Sequence, residues 1–213
     1  MTGLKKQIPN ALTVSRLILS LVFFVMLALV SFERHVAPTL FLNLATLVYL
    51  IAASTDWLDG YLARKWQATS VFGRVVDPFV DKVLVLGAFI YFAGPAFALF
   101  RENGWTSLSG VTPTVVCILL AREFLVTTLR SVAEGSGQSF AAAWSGKLKM
   151  VLQCITIFVI LVYVNYRPEL VRVDWDSTAR IFRDICVWVT VAVTILSALT
   201  YVQKSIQMNQ PIR

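Results

Sequence analysis

Apolar residues gather into six long stretches separated by shorter polar runs: Leu12–Phe32, Pro38–Thr55, Val80–Leu99, Thr112–Val132, Leu148–Tyr166 and Ile181–Val202. A helix that crosses a bilayer needs about 20 mostly apolar residues, and these stretches are close to that length. The pattern predicts an all-α membrane protein with six transmembrane helices. A short juxtamembrane segment carrying Lys5 and Lys6 precedes the first of them. A signal peptide has an apolar core of only about 7–15 residues, so the first stretch reads as a retained helix. No repeat, low-complexity tract or linker divides the chain, and residues 1–213 are expected to form a single membrane domain.

Composition strengthens this reading. Hydrophobic residues make up 57% of the chain and charged residues 15%, against about 45–50% and about 25% in soluble domains. The net charge of +7 would suggest nucleic acid as a partner in a soluble chain. In a membrane chain it bears on orientation instead, because Lys and Arg concentrate in cytoplasmic loops. Placing the N-terminus in the cytoplasm puts 13 of the 19 Lys and Arg on that side and six on the other. This predicts a multi-pass protein of the cytoplasmic membrane with both termini inside and no nucleic-acid partner. Cys117, Cys154 and Cys186 lie within apolar runs without ligand spacing and are expected to be buried thiols. His35 is expected in a loop.

The polar run between the second and third stretches, DWLDGYLARKWQATSVFGRVVDPFVD, carries the candidate chemistry. Asp56, Asp59, Gly60 and Ala63 stand at i, i+3, i+4 and i+7, one face of a helix. Gly73, Asp77 and Asp81 are spaced by four and share a face of the next. Two helix faces can thus aim four carboxylates at one point. Ionisable groups at a membrane are costly and usually functional, and crowded carboxylates raise one another's pKa unless a cation joins them. Oxygen donors suit Mg²⁺ or Mn²⁺, and a pair of acids on each helix suggests two ions flanking a phosphoryl displacement. Gly60, Ala63 and Gly73 keep those faces free for a bulky ligand. Arg64 offers a planar fork suited to phosphate, and Ser70 a hydroxyl for a phosphate oxygen. Pro78 is expected near the first turn of the third helix, where proline is tolerated.

The spacing D-x2-D-G-x2-A-R-x8-G-x3-D-x3-D resembles the signature of the CDP-alcohol phosphotransferase family, and every fixed position matches: Asp56, Asp59, Gly60, Ala63, Arg64, Gly73, Asp77 and Asp81. Three further segments, IPNALTVSRL, AREFLVTTLR and SGKLKMVLQ, resemble the branch of the family that forms phosphatidylglycerophosphate. One departure is Met150, where a Thr is expected; the basic pair Lys147 and Lys149 is intact. The resemblance implies six helices around a polar, cytoplasm-facing cavity, as a homodimer. It implies Mg²⁺ or Mn²⁺ held by Asp56, Asp59, Asp77 and Asp81, with Asp81 as general base. It implies CDP held by Gly60, Ala63, Arg64 and Gly73, with help from Asn10 and Thr13. The implied reaction joins CDP-diacylglycerol to sn-glycerol 3-phosphate and releases CMP.

Four cations outside the signature are candidates for the acceptor's phosphate. Arg122 and Arg130 punctuate an apolar helix together with Glu123. Lys147 and Lys149 stand at the start of the fifth helix, where a helix N-terminus adds to their pull on an anion. A buried structural pair of Arg122 or Arg130 with Glu123 is the competing reading, and helix capping is the competing reading of Asn10. Sister reactions with inositol phosphate, serine or phosphatidylglycerol as acceptor share the signature. A cation transporter would place its acids near the midplane, whereas these lie at one membrane face.

Overall fold

The computed structural model describes residues 4–30, 39–66, 71–101, 104–135 and 144–208. Among the described residues the chain forms six α-helices: α1 (Leu4–Leu29), α2 (Thr39–Trp66), α3 (Val71–Phe92), α4 (Pro113–Gly135), α5 (Trp144–Arg172) and α6 (Asp176–Met208). A 3-10 turn at Pro95–Phe97 and a two-stranded antiparallel hairpin, β1 (Ala98–Arg101) and β2 (Gly104–Ser107), fill the connection from α3 to α4.

The helices outrun the apolar stretches that announce them. α2 continues past Thr55 to Trp66, and α3 begins at Val71 rather than close to Val80. The charged signature is therefore helical backbone, continuous with apolar helices on both sides. Pro78 falls in the third turn of α3, not the first as expected, at the cost of one backbone hydrogen bond. α3 also stops at Phe92, short of the expected Leu99. Gly94 and Pro95 follow directly and cannot extend it, and Leu99 belongs to β1. α1 begins at Leu4, so the juxtamembrane segment is part of the first helix. Asn10 lies nearly two turns inside it, away from the N-cap position.

α1 packs on α2 and α3, α2 on α5, α5 on α6, α4 on α6, and α3 on α4 and α5. Phe23 and Leu27 of α1, Tyr49 of α2, Phe89 and Phe92 of α3, Leu119 of α4, Ile157 and Ile160 of α5 and Val191 of α6 form one core. Polarity is otherwise inverted. Thr46, Arg122, Glu123, Gln153, Thr156, Thr190, Thr194 and Ser197 are buried, while Ile18, Leu21, Val25, Leu47, Ile155, Trp188, Leu196 and Leu199 are exposed. An apolar exterior of this extent is unsuited to water and matches a lipid surround. Segments Ala11–Leu29, Leu148–Arg172 and Asp176–Gln207 are long and apolar enough to cross a membrane, and Thr39–Thr55 and Lys82–Phe92 are shorter apolar segments. α4 differs because Arg122, Glu123 and Arg130 interrupt it. The chain is a helical membrane protein. Cys117 is exposed on α4, against the expectation of burial.

The hairpin is tied to the helices by Arg183, which is buried on α6. It donates from Nη1 to the Leu108 carbonyl, from Nη2 to Asp184 Oδ1 at 2.6 Å, and lies 4.7 Å over the Tyr163 ring. Gly110 passes beneath it with φ of 71°. A Cβ there would sit 2.5 Å from Asp184 Oδ1 and 2.8 Å from Arg183 Nε.

Candidate active site

The signature divides between two helices. Asp56, Asp59, Gly60, Ala63 and Arg64 occupy the last three turns of α2, and Gly73, Asp77 and Asp81 the first half of α3. With 3.6 residues per turn, 56, 59, 60 and 63 share one face of α2, and 73, 77 and 81 share one face of α3. Both helices pack on α1. For these residues the structure describes helical placement only. Ser70 lies outside the described residues. On α1, Asn10 is likewise described by its backbone alone, while Thr13 and Arg16, one turn apart, are buried with only 1% exposure each. An arginine so deeply enclosed marks this end of α1 as part of a polar interior.

A second polar group joins α3, α4, α5 and α6. Glu123 Oε1 accepts from Arg122 Nη1 at 2.9 Å and also from Lys149 Nζ. Arg122 Nη2 donates to Ser197 Oγ at 2.8 Å, and its guanidinium lies 5.9 Å from the centre of the Tyr201 ring. Arg130 Nη2 reaches Tyr201 Oη at 3.5 Å. Lys82, the residue after Asp81, donates from Nζ to Thr127 Oγ1 at 2.5 Å. Of the four expected acceptor cations, Arg122, Arg130 and Lys149 thus lie in one network, and Lys147 is placed by its backbone in the first turn of α5. The network also contains the ion pair of Arg122 with Glu123 that competed with the acceptor reading. A buried pair is costly to break, by about 3–5 kcal/mol, because the survivor is left uncompensated.

Two cavities meet at this network. The polar one, about 190 Å³, is lined by Lys82, Glu123, Gly146, Lys149, Met150 and Gln153 together with Val85 and Leu86. The other, about 550 Å³, is lined by Phe24, Phe79, Val83, Gly87, Ile90 and Phe124, with Thr127 and again Lys82, Leu86 and Glu123. A mostly apolar groove therefore opens beside a charged chamber, and Lys82 and Glu123 belong to both. Lys82 and Gln153 are not among the residues that the sequence pattern singled out. Each left a signal: Lys82 adjoins the last aspartate, and Gln153 is a polar residue one turn beyond Lys149 in an otherwise apolar run.

Residues 6–196 match the family described as CDP-alcohol phosphatidyltransferase. A protein of Bacillus subtilis (strain 168) named CDP-diacylglycerol--glycerol-3-phosphate 3-phosphatidyltransferase is 33% identical over 204 residues, covering 93% of this chain and 95% of its own. Proteins of the same name from Haemophilus influenzae (strain ATCC 51907 / DSM 11121 / KW20 / Rd) and Escherichia coli (strain K12) are similar. The first is 31% identical over 202 residues, with 94% of each chain covered. The second is 34% identical over 197 residues, with 92% of each covered. A match over nearly the whole length, on a chain whose two signature halves lie on helices packed against α1, places it: this chain belongs to the CDP-alcohol phosphatidyltransferase family.

Proposed function

We propose that the chain transfers a phosphatidyl group from CDP-diacylglycerol to sn-glycerol 3-phosphate, giving phosphatidylglycerophosphate and CMP. The observation that carries this reading is the near full-length likeness to relatives named for that reaction.

The donor set of Asp56, Asp59, Asp77 and Asp81 fits a divalent cation. All four are oxygen donors, and each helix presents its two acids one turn apart on a single face. Bound there, Mg²⁺ or Mn²⁺, with one ion for each pair of acids, would neutralise the diphosphate of the nucleotide lipid. The chain's own residues do the rest. Gly60, Ala63 and Gly73 leave room for the nucleotide, Arg64 and Ser70 bind its phosphates, and Asn10 and Thr13 hold it from α1. Asp81 takes the proton from the acceptor's 1-hydroxyl. That oxygen bonds to the lipid-side phosphorus, and the bond from this phosphorus to the CMP oxygen breaks. A carboxylate is a weak base, which suffices where catalysis rests on positioning and charge neutralisation. Arg130, Lys147 and Lys149 take the acceptor's phosphate, and Arg122 supports them through Glu123. The apolar groove between α3 and α4 receives acyl chain while the charged chamber stays wet.

The same reading makes all six helices membrane spans around a cytoplasm-facing cavity. Both termini lie inside, in a cytoplasmic membrane, and one domain over residues 1–213 pairs as a homodimer. The test is product identity. Glycerol 3-phosphate labelled in its phosphate, incubated with purified protein, CDP-diacylglycerol and Mg²⁺, should pass its label into a lipid-extractable phosphatidylglycerophosphate, and chelation should stop it. Label that stays in the aqueous phase would overturn the proposal.

A further inference from the structure

Gln153 lies on α5 one turn beyond Lys149 and is 2% exposed. Its Nε2 has no hydrogen-bond partner among the described residues, and the residue lines the polar chamber with Lys82, Glu123 and Lys149. Buried amide donors are nearly always paired, and leaving one unpaired is costly. A chamber-wall donor without a partner among the described residues points to a partner delivered by the ligand.

The neighbours decide what that ligand group is. Lys149 is bonded to Glu123 and Lys82 to Thr127. Each ammonium has three donors and keeps protons for a phosphate oxygen. An anionic group is thus served by the cations, and the neutral amide suits a neutral oxygen. The acceptor proposed above carries two hydroxyls. The one at carbon 1 reacts; the one at carbon 2 takes no part in bond making, yet loses its water on entering the chamber.

We infer that Gln153 reads the carbon-2 hydroxyl of the acceptor, Nε2 donating to that oxygen, and so makes the chamber specific for a polyol phosphate over a simple alkanol phosphate. The inference rests on the chamber being the acceptor site. A site built to bond a hydroxyl rejects the analogue lacking it more strongly than an apolar pocket rejects a missing methylene.

The probe is propane-1,3-diol monophosphate, which differs from glycerol 3-phosphate only in lacking that hydroxyl. The unaltered protein should use it with a kcat/KM about ten- to a hundredfold lower. Gln153→Met, close in length and volume, should bring glycerol 3-phosphate down to the level of the diol phosphate. It should leave the diol phosphate near its original value and the KM for CDP-diacylglycerol unchanged; Gln153→Leu serves as a second variant should Met pack poorly. An unaltered preference in both variants, an equal loss on both acceptors, or no preference in the unaltered protein overturns the assignment. Lys149→Gln, which keeps a donor toward Glu123, tests the chamber separately. A higher KM for both acceptors supports the acceptor site, and a shift confined to CDP-diacylglycerol removes both that site and the role of Gln153.

Discussion

Asp81 and Lys82 are neighbours on α3, yet the proposed reaction gives them different tasks. Asp81 is the proposed base, and the Lys82 ammonium, bonded to Thr127 Oγ1, lines the polar chamber. Asp81→Asn should lose turnover while equilibrium binding of CDP-diacylglycerol persists. Asp56→Ala, Asp59→Ala and Asp77→Ala should abolish activity and also weaken nucleotide or metal binding. Loss of lipid binding in Asp81→Asn as severe as in Asp56→Ala would argue against a separate base. For the acceptor, a charge-assisted contact contributes about 1.5–3 kcal/mol. Arg130→Ala and Lys147→Ala should therefore raise the KM for glycerol 3-phosphate roughly ten- to a hundredfold and leave that for CDP-diacylglycerol nearly unchanged; the reverse pattern would remove them from the acceptor site. Much at this scale was legible because charged residues in apolar surroundings are costly, so each needs a reason. Asn10 was harder to read: a cap and a helix-interior residue have the same side chain, and only the start of α1 at Leu4 separates them.

The elements themselves explain which boundaries the pattern found and which it missed. Apolar runs mark where lipid surrounds a helix, not where the helix ends. α2 and α3 therefore continue unannounced through the signature, whose period of three and four is helical but polar. The hairpin was missed for the opposite reason: Ala98–Phe100 is apolar enough to look like the tail of α3, and Gly94 and Pro95 are the residues that end the helix. Two expectations belong to elements. Gly110→Ala places a methyl against Asp184 and Arg183 at a backbone φ of 71°, a conformation that disfavours side chains. Its melting temperature in detergent should drop by several degrees, while an unchanged melting temperature would mean that the hairpin is not anchored there. Glu123→Ala leaves Arg122 and Lys149 buried with no carboxylate between them and should destabilise the fold by about 3–5 kcal/mol. Glu123→Gln, which retains an acceptor, should cost less, and thermal unfolding of the two variants checks the order.

On the scale of the whole molecule, the inverted distribution of polarity is the organising fact: Arg16, Arg122 and Glu123 are enclosed, and Ile18, Leu196 and Leu199 face outward. Composition alone foretold a membrane protein. The grouping of Lys82, Glu123, Lys149 and Gln153 was not foretold, since it brings together α3, α4 and α5 from positions up to 71 residues apart in the sequence. In the proposed topology, which follows the charge bias, the hairpin would lie outside and the end of α6 in the cytoplasm. Thr106→Cys, on the exposed surface of β2, should react with a membrane-impermeant thiol reagent in intact cells, and Gln207→Cys, near the end of α6, only after the membrane is opened; the reverse order would invert the topology. The identity of the reaction is decided by the release of CMP from CDP-diacylglycerol by purified protein with Mg²⁺, measured across a panel of acceptors. Release should be rapid with sn-glycerol 3-phosphate and slight with inositol phosphate, serine, phosphatidylglycerol, unphosphorylated glycerol or no acceptor. Release that is faster with another member of the panel, or equally fast with glycerol and its phosphate, would contradict the proposed reaction.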